Sequence, residues 1–221
     1  GCGDSHLRLG AVKIVLDETT GRLYPPQAEL NDQVIHAQKS GFQVAIHAIE
    51  ETAVKTAIAA LEYASHRIPK TDHRHRIEHC SVCSLPLMQR IKNVPAVGVT
   101  QPAFIYYSGE RYLETVSQPQ LRWLYPIGSF TRSGLKIAAG SDSPVVPQDP
   151  LKGIYAAVTR KTELGRTILT KERISPLEAL SMYTSNAAYV SFEERARGSI
   201  APGKLADLVI LSDDPTQVPA E

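Results

Sequence analysis

Residues 11–17, AVKIVLD, form a compact apolar run with β-branched positions that closes on the turn cluster ETTG, and they predict a buried strand. In residues 27–41, QAELNDQVIHAQKSG, the positions Leu30, Val34, Ile35 and Gln38 recur near helical spacing, and the run stops at a glycine suited to end a helix. The alternation then repeats. FQVAIHA reads as a second strand ending at His47. EETAVKTAIAALEYASH reads as a helix with Val54, Ile58 and Leu61 on one side. HRIEH is a third strand, SLPLMQRIKN a third helix with Ser84 as its cap and Pro86 in its first turn, and AVGVTQP a fourth strand.

Residues 103–117, containing FIYYSGERYLET, show no clear period and predict a long loop of the kind that serves as a lid or binding segment. PQLRWLYPIGSFTRSG then predicts a helix that feeds a fifth strand in KIAAGSDSP. DPLKGIYAAVTRKTE and SPLEALSMYTSNAAYV predict two more helices, the second with Ser175 as cap, Pro176 at the first helical position and Glu178 completing a capping box. Strands alternating with helices imply an α/β fold with a parallel sheet and right-handed crossovers. The tail GSIAPGKLADLVILSDDP differs, with a glycine-proline turn between two short β segments. The expected division is therefore 1–195 for the α/β body and 196–221 for a small β appendage.

Composition adds exclusions. With 43% apolar and 21% charged residues and 24 basic against 23 acidic side chains, the chain has a globular composition and no charge excess for a polyanion such as nucleic acid. No run of about 18 apolar residues and no signal-peptide succession is visible, which predicts a soluble, cytoplasmic protein without a membrane partner. The three cysteines are too few for a disulfide framework, and Cys2 lies near a terminus, so reduced thiols are expected.

Ligands of parallel α/β sheets bind at the carboxyl ends of the strands. Lys13 lies within the first strand, His47 and His79 end the second and third, and Asp142 ends the fifth. Two imidazoles and a carboxylate suit zinc or a similar divalent ion, and water on an open position of such an ion becomes acidic enough to attack near neutral pH. Each residue alone has a plainer reading, as a hydrogen-bonded structural histidine or an aspartate bonding its own turn. Strand alternation puts His73, His75 and His79 on one side. Their spacing of about 6.5–7 Å per same-face step is too long for one ion, so only His79 is a candidate ligand. Cys80 and Cys83 form half of a zinc site with no second half, which favours structural thiols.

VAIHAIEETAV, HRIEHC, AAGSDSPV and GSIAPGKLADLVIL, in that order, resemble the amidohydrolase superfamily, in the branch that contains N-substituted formamide deformylase and related metal-dependent amide hydrolases. The resemblance implies a TIM-type barrel flanked by a β-sandwich, of which this chain carries about strands four to eight and the return into the sandwich. It implies one or two divalent ions, with His47 and His79 as ligands and Asp142 as ligand and proton shuttle. It makes Lys13 the carboxylated lysine that bridges the ions in two-metal members. The family's first-strand His-X-His has no counterpart in place, since His73-Arg74-His75 precedes the end of the third strand. The implied activity is hydrolysis of C–N bonds of amide or N-formyl type through a metal-activated water. The alternatives are deamination of a ring amidine and a non-catalytic fragment or assembly subunit. Tyr106, Tyr107 and Arg111 are the candidate contacts to a small amide-type substrate. Bare barrel edges further suggest a homo-oligomer or a complementing N-terminal portion.

Overall fold

The computed structural model describes residues 3–4, 7–18, 21–69 and 72–219. The chain divides into two compact units, residues 1–99 and 100–221.

The first unit runs β1 (Val12–Val15), α1 (Gln27–Lys39), β2 (Val44–Ala48), α2 (Glu51–Arg67), β3 (His75–His79), α3 (Leu85–Asn93) and β4 (Ala96–Thr100), whose last residue opens the second unit. The strands pair in parallel in the order β1-β2-β3-β4, with Lys13 beside Ala45, His47 beside Glu78 and Arg76 beside Val97. Ile14, Val44, Ile46 and Ile77 share one face of this sheet and are buried, as are Leu30 and Val34 of α1 and Val54, Ile58 and Leu61 of α2. Each such side chain contributes about 1.5–3 kcal/mol by leaving water. A two-pronged ion pair joins α2 to α3, with Arg90 donating to both carboxylate oxygens of Glu62 at 2.9 and 2.7 Å. No helix among the described residues is long and apolar enough to cross a membrane.

The second unit contains α4 (Ala103–Thr115), α5 (Gln118–Leu121), α6 (Ile127–Arg132), β5 (Ile137–Ala139), α7 (Pro150–Thr159), a 3-10 turn (Thr170–Glu172), α8 (Pro176–Tyr183) and α9 (Ser185–Val190). At α8 the expected capping box is present: the Glu178 N–H donates to Ser175 Oγ, and the Ser175 N–H to the Glu178 carboxylate.

Three expectations are corrected. The stretch predicted as a loop over 103–117 is the helix α4, which buries Phe104, Ile105, Gly109 and Tyr112. Gly109 is needed there because a Cβ would run into the Thr162 side chain. The single helix expected over 119–134 is two short ones. Pro126, which lacks an N–H, and Tyr125, with a left-handed backbone at φ 45°, break it. The two β segments expected in 198–215 are not strands; Ile200, Val209 and Ile210 stand in solvent, Ile210 at 97% exposure. A β segment exists only through pairing of its backbone, and among the described residues no strand pairs with this one.

Candidate metal centre

Alternation along the strands, combined with their register, gives the first unit's sheet a second face made of Lys13, Val15, Ala45, His47, Arg76, Glu78, Val97 and Val99. His47 lies there one residue before the end of β2. Lys13 shares the face two residues further back in register, on the neighbouring strand, and is exposed. His79 pairs with Ala48, so alternation assigns it to the opposite face. The backbone overrides this. His79 and the following Cys80 adopt left-handed conformations, φ 69° and 47°, which end β3. The His79 ring meets that of His47 edge to face with centroids 4.3 Å apart. The segments after the two strands are tied together, since Cys80 N–H donates to the Ala48 carbonyl and Val82 N–H to that of Ile49, both at 3.0 Å.

Two imidazoles in contact are donors of the type that a zinc-like ion takes, with metal–nitrogen bonds of about 2.0–2.1 Å. Among the described residues no group of three or more His, Cys, Asp or Glu converges on one point.

The other two histidines of the cluster are structural. His75 and His73 are buried and stacked 4.0 Å apart. The Val44 N–H donates to His75 Nδ1 at 3.1 Å, so His75 carries its proton on Nε2, which donates to Gln38 Oε1 at 3.1 Å. The His75 N–H in turn donates to His73 Nδ1. Cys80 and Cys83 are buried free thiols, and the Cys83 thiol is pushed up by its hydrogen bond with Cys80 and then by burial. Cys2 lies outside the described residues.

In the second unit, Asp142 sits three residues past β5 in an exposed turn with φ 58°, its carbonyl accepting from the Val145 N–H at 2.9 Å. The Gly140 N–H bonds the Thr100 carbonyl at 3.0 Å. A cavity of about 150 Å³ opens beside the residues that lead into Asp142, lined by Ala103, Gly140, Ser141, Gln148, Asp149 and Tyr183. Burial pushes the Tyr183 hydroxyl above its ordinary range. Tyr106 and Tyr107 lie on α4 rather than on a loop, with rings 5.0 Å apart. Tyr106 also packs on Tyr155 of α7, and the Lys152 ammonium stands 4.3 Å over its ring. Arg111, on the same helix, is exposed and lies against Tyr112.

Sequence reasoning passed over Arg76, Glu78, Lys152 and Tyr155. The signal for the first two was present, since charges of opposite sign at i and i+2 in HRIEH fall on one face of a strand.

The sequence profile of the amidohydrolase family matches residues 1–221. The chain belongs to that family. YtcJ of Bacillus subtilis strain 168 is 30% identical over 207 residues, which cover 92% of this chain and 37% of YtcJ. The N-substituted formamide deformylase of Arthrobacter pascens is 29% identical over 227 residues, 95% of this chain and 42% of that protein. Among solved structures, an uncharacterised metal-dependent hydrolase from Pyrococcus furiosus superposes with a TM-score of 0.83 at 28% identity, covering 98% of this chain and 47% of its own. This amidohydrolase-family chain thus has the α/β architecture of the family's TIM-type barrels, with its parallel strands and intervening helices. It spans about two fifths of the length of the curated relatives it matches.

Proposed function

We propose that the chain carries the second half of the catalytic apparatus of a metal-dependent hydrolase that cleaves C–N bonds of amide or N-formyl type. The observation that carries this reading is the convergence of the His47 and His79 rings at the carboxyl ends of adjacent parallel strands. The two imidazoles would hold a divalent ion, zinc by preference, and Lys13, on the face of His47, would hold a second one when carboxylated. A bound ion supplies Lewis-acid activation of water and of the scissile carbonyl. The part of Asp142 comes from the family pattern: its carboxylate takes the proton of the attacking water and returns it to the departing nitrogen. Tyr106 and Tyr107, stiffened on α4, hold an apolar or aromatic substituent of the amide, with Arg111 at the rim.

The relatives' greater length and the edge position of β1, where Val15 is 52% exposed, support a complementing N-terminal portion or a second copy beside that strand. Light scattering that finds only monomer, at concentrations where the chain stays folded, argues against the second copy.

The test is elemental analysis of metal in the purified chain and in His47→Ala, His79→Ala and Asp142→Ala, followed by assays of formate or acid release from N-formyl and N-acyl amines. Near-stoichiometric metal, lost in the histidine variants, supports the reading. Metal retained in both refutes it, and ammonia release from a ring amidine in place of acid release redirects it to deamination.

A further inference from the structure

The face that bears His47 also carries an ion pair that the metal reading does not use. Arg76 and Glu78 alternate on β3, and the Arg76 guanidinium lies 2.7 Å from the Glu78 carboxylate, with side-chain exposures of 26% and 12%. In the register, Glu78 stands directly beside His47. Neighbouring strand backbones are about 4.8 Å apart, and paired residues of parallel strands project to the same side, so a carboxylate and an imidazole at these positions are within reach of each other. A partly buried ion pair adds little to stability, because the cost of withdrawing the charges from water offsets most of their attraction. Its value lies in fixing where the carboxylate points.

We infer that Glu78, anchored by Arg76, is a positioning residue for His47. Its carboxylate accepts the N–H of one imidazole nitrogen, which fixes the tautomer and leaves the lone pair of the other nitrogen aimed at the ion. Carboxylates that hold metal-ligating histidines in this way sustain metal affinity by about 10- to 100-fold. The sequence supports the pairing by economy. One strand, HRIEH, contributes the anchor at Arg76, the acceptor at Glu78 and the second ligand at His79, while the first ligand comes from the strand alongside. No other Asp or Glu lies on this face of the sheet among the described strand positions.

The inference rests on the metal reading, so the test has one readout with the ion and one without it. In the metal-free chain near pH 8, ¹⁵N shifts of the histidine rings report the tautomer of His47. The unaltered chain shows one tautomer, Glu78→Gln keeps it because an acceptor oxygen remains, and Glu78→Ala gives a mixture. With Co²⁺, chelator competition and the d–d absorption band report affinity and geometry. Glu78→Ala binds about 10- to 100-fold more weakly. Glu78→Gln binds more weakly than the unaltered chain but better than the alanine variant. Glu78→Ala leaves Arg76 without its partner, and Arg76→Met/Glu78→Leu replaces the pair by apolar residues of similar reach. That double variant keeps the sheet folded and shows the same mixed tautomer and weaker binding. An unchanged His47 tautomer in Glu78→Ala and in the double variant overturns the inference, as does unchanged Co²⁺ affinity in those two. Failure of the unaltered chain to bind Co²⁺ overturns the metal reading instead, and the tautomer then decides the role of Glu78 alone.

Discussion

Replacement of Arg160 by methionine tests how the second unit is held together. Arg160 is wholly buried at the end of α7, where its left-handed backbone turns the chain back, φ 59°. Its guanidinium donates to three carbonyls, those of Ile168 at 3.0 Å, Tyr125 at 2.9 Å and Leu124 at 3.2 Å. Burial pushes its pKa down to about 10, while Glu172 and then Tyr125 favour the charged form, so the group is a cation at neutral pH. Methionine fills the space of the aliphatic stem, which keeps the cavity contribution small. The loss is then the donor to the buried carbonyls of Leu124 and Ile168 at about 1–3 kcal/mol each, and one of two bonds to the Tyr125 carbonyl, which keeps the Ile127 N–H, offset in part by relief from burying a charge. The net expectation is a destabilisation of about 3–5 kcal/mol, a large share of the roughly 5–15 kcal/mol that holds a domain together. For a urea dependence of about 2 kcal/mol per molar, the unfolding midpoint falls by about 1.5–2.5 M. Urea melts followed by tyrosine and tryptophan fluorescence measure this. A shift under about 0.5 M with unchanged slope would refute the account of Arg160 as the clamp between the 124–125 corner and the 168 segment. The consequence reaches α4, because Tyr125 packs on Phe104 and its hydroxyl meets that of Tyr112 at 3.3 Å.

Two further outcomes follow from local geometry. Arg90→Met removes the pair with Glu62, whose carboxyl is held below its ordinary range first by the hydrogen bond from Arg90 and then, against burial, by its charge. Because the folded-state pKa is depressed, the stabilisation is complete above the ordinary Glu value and is lost as pH falls through the folded value. The gap in melting temperature between parent and variant, worth about 0.5–1 kcal/mol at pH 7, should therefore narrow as pH falls below the ordinary Glu range and close beneath the depressed folded value, and a gap independent of pH contradicts the pairing. Ser175→Ala deletes one arm of the capping box at α8 and should cost about 1 kcal/mol in a urea melt, with Ser175→Asp recovering most of it; an alanine variant as stable as the parent denies the cap an energetic role.

The strands were legible because buried parallel strands read as short apolar runs, and VAIHA and AVGVT declare themselves in that way. The capping box was legible because it is a contact over three residues. What escaped depends on partners distant in sequence. The reason α4 tolerates a glycine in its middle is Thr162, 53 positions away, and the buried stripe that runs through Gly109 cannot be seen as a stripe until that neighbour is in place. The Arg160 clamp is invisible for the same reason, since its acceptors are backbone carbonyls that carry no side-chain signature. In the tail the failure ran the other way. ADLVIL has the composition of a strand, but composition does not supply the second backbone that a strand requires.

The candidate centre combines both kinds of information. His47 is placed by the pleat alone, and any reading that gets the strand right also gets its face right. His79 is placed by a departure from the pleat: two successive left-handed residues turn its ring from the buried side toward His47. Non-glycine residues adopt that backbone at a cost of about 1–3 kcal/mol, and it persists only where the surroundings enforce it. Here the Cys80 and Val82 N–H groups, bound to the carbonyls of Ala48 and Ile49, do so. The same two hydrogen bonds that strain β3 at its end therefore set the distance between the two imidazoles. The buried thiols of Cys80 and Cys83 belong to this turn as packing, which explains why a CxxC motif with no second half follows the histidine directly.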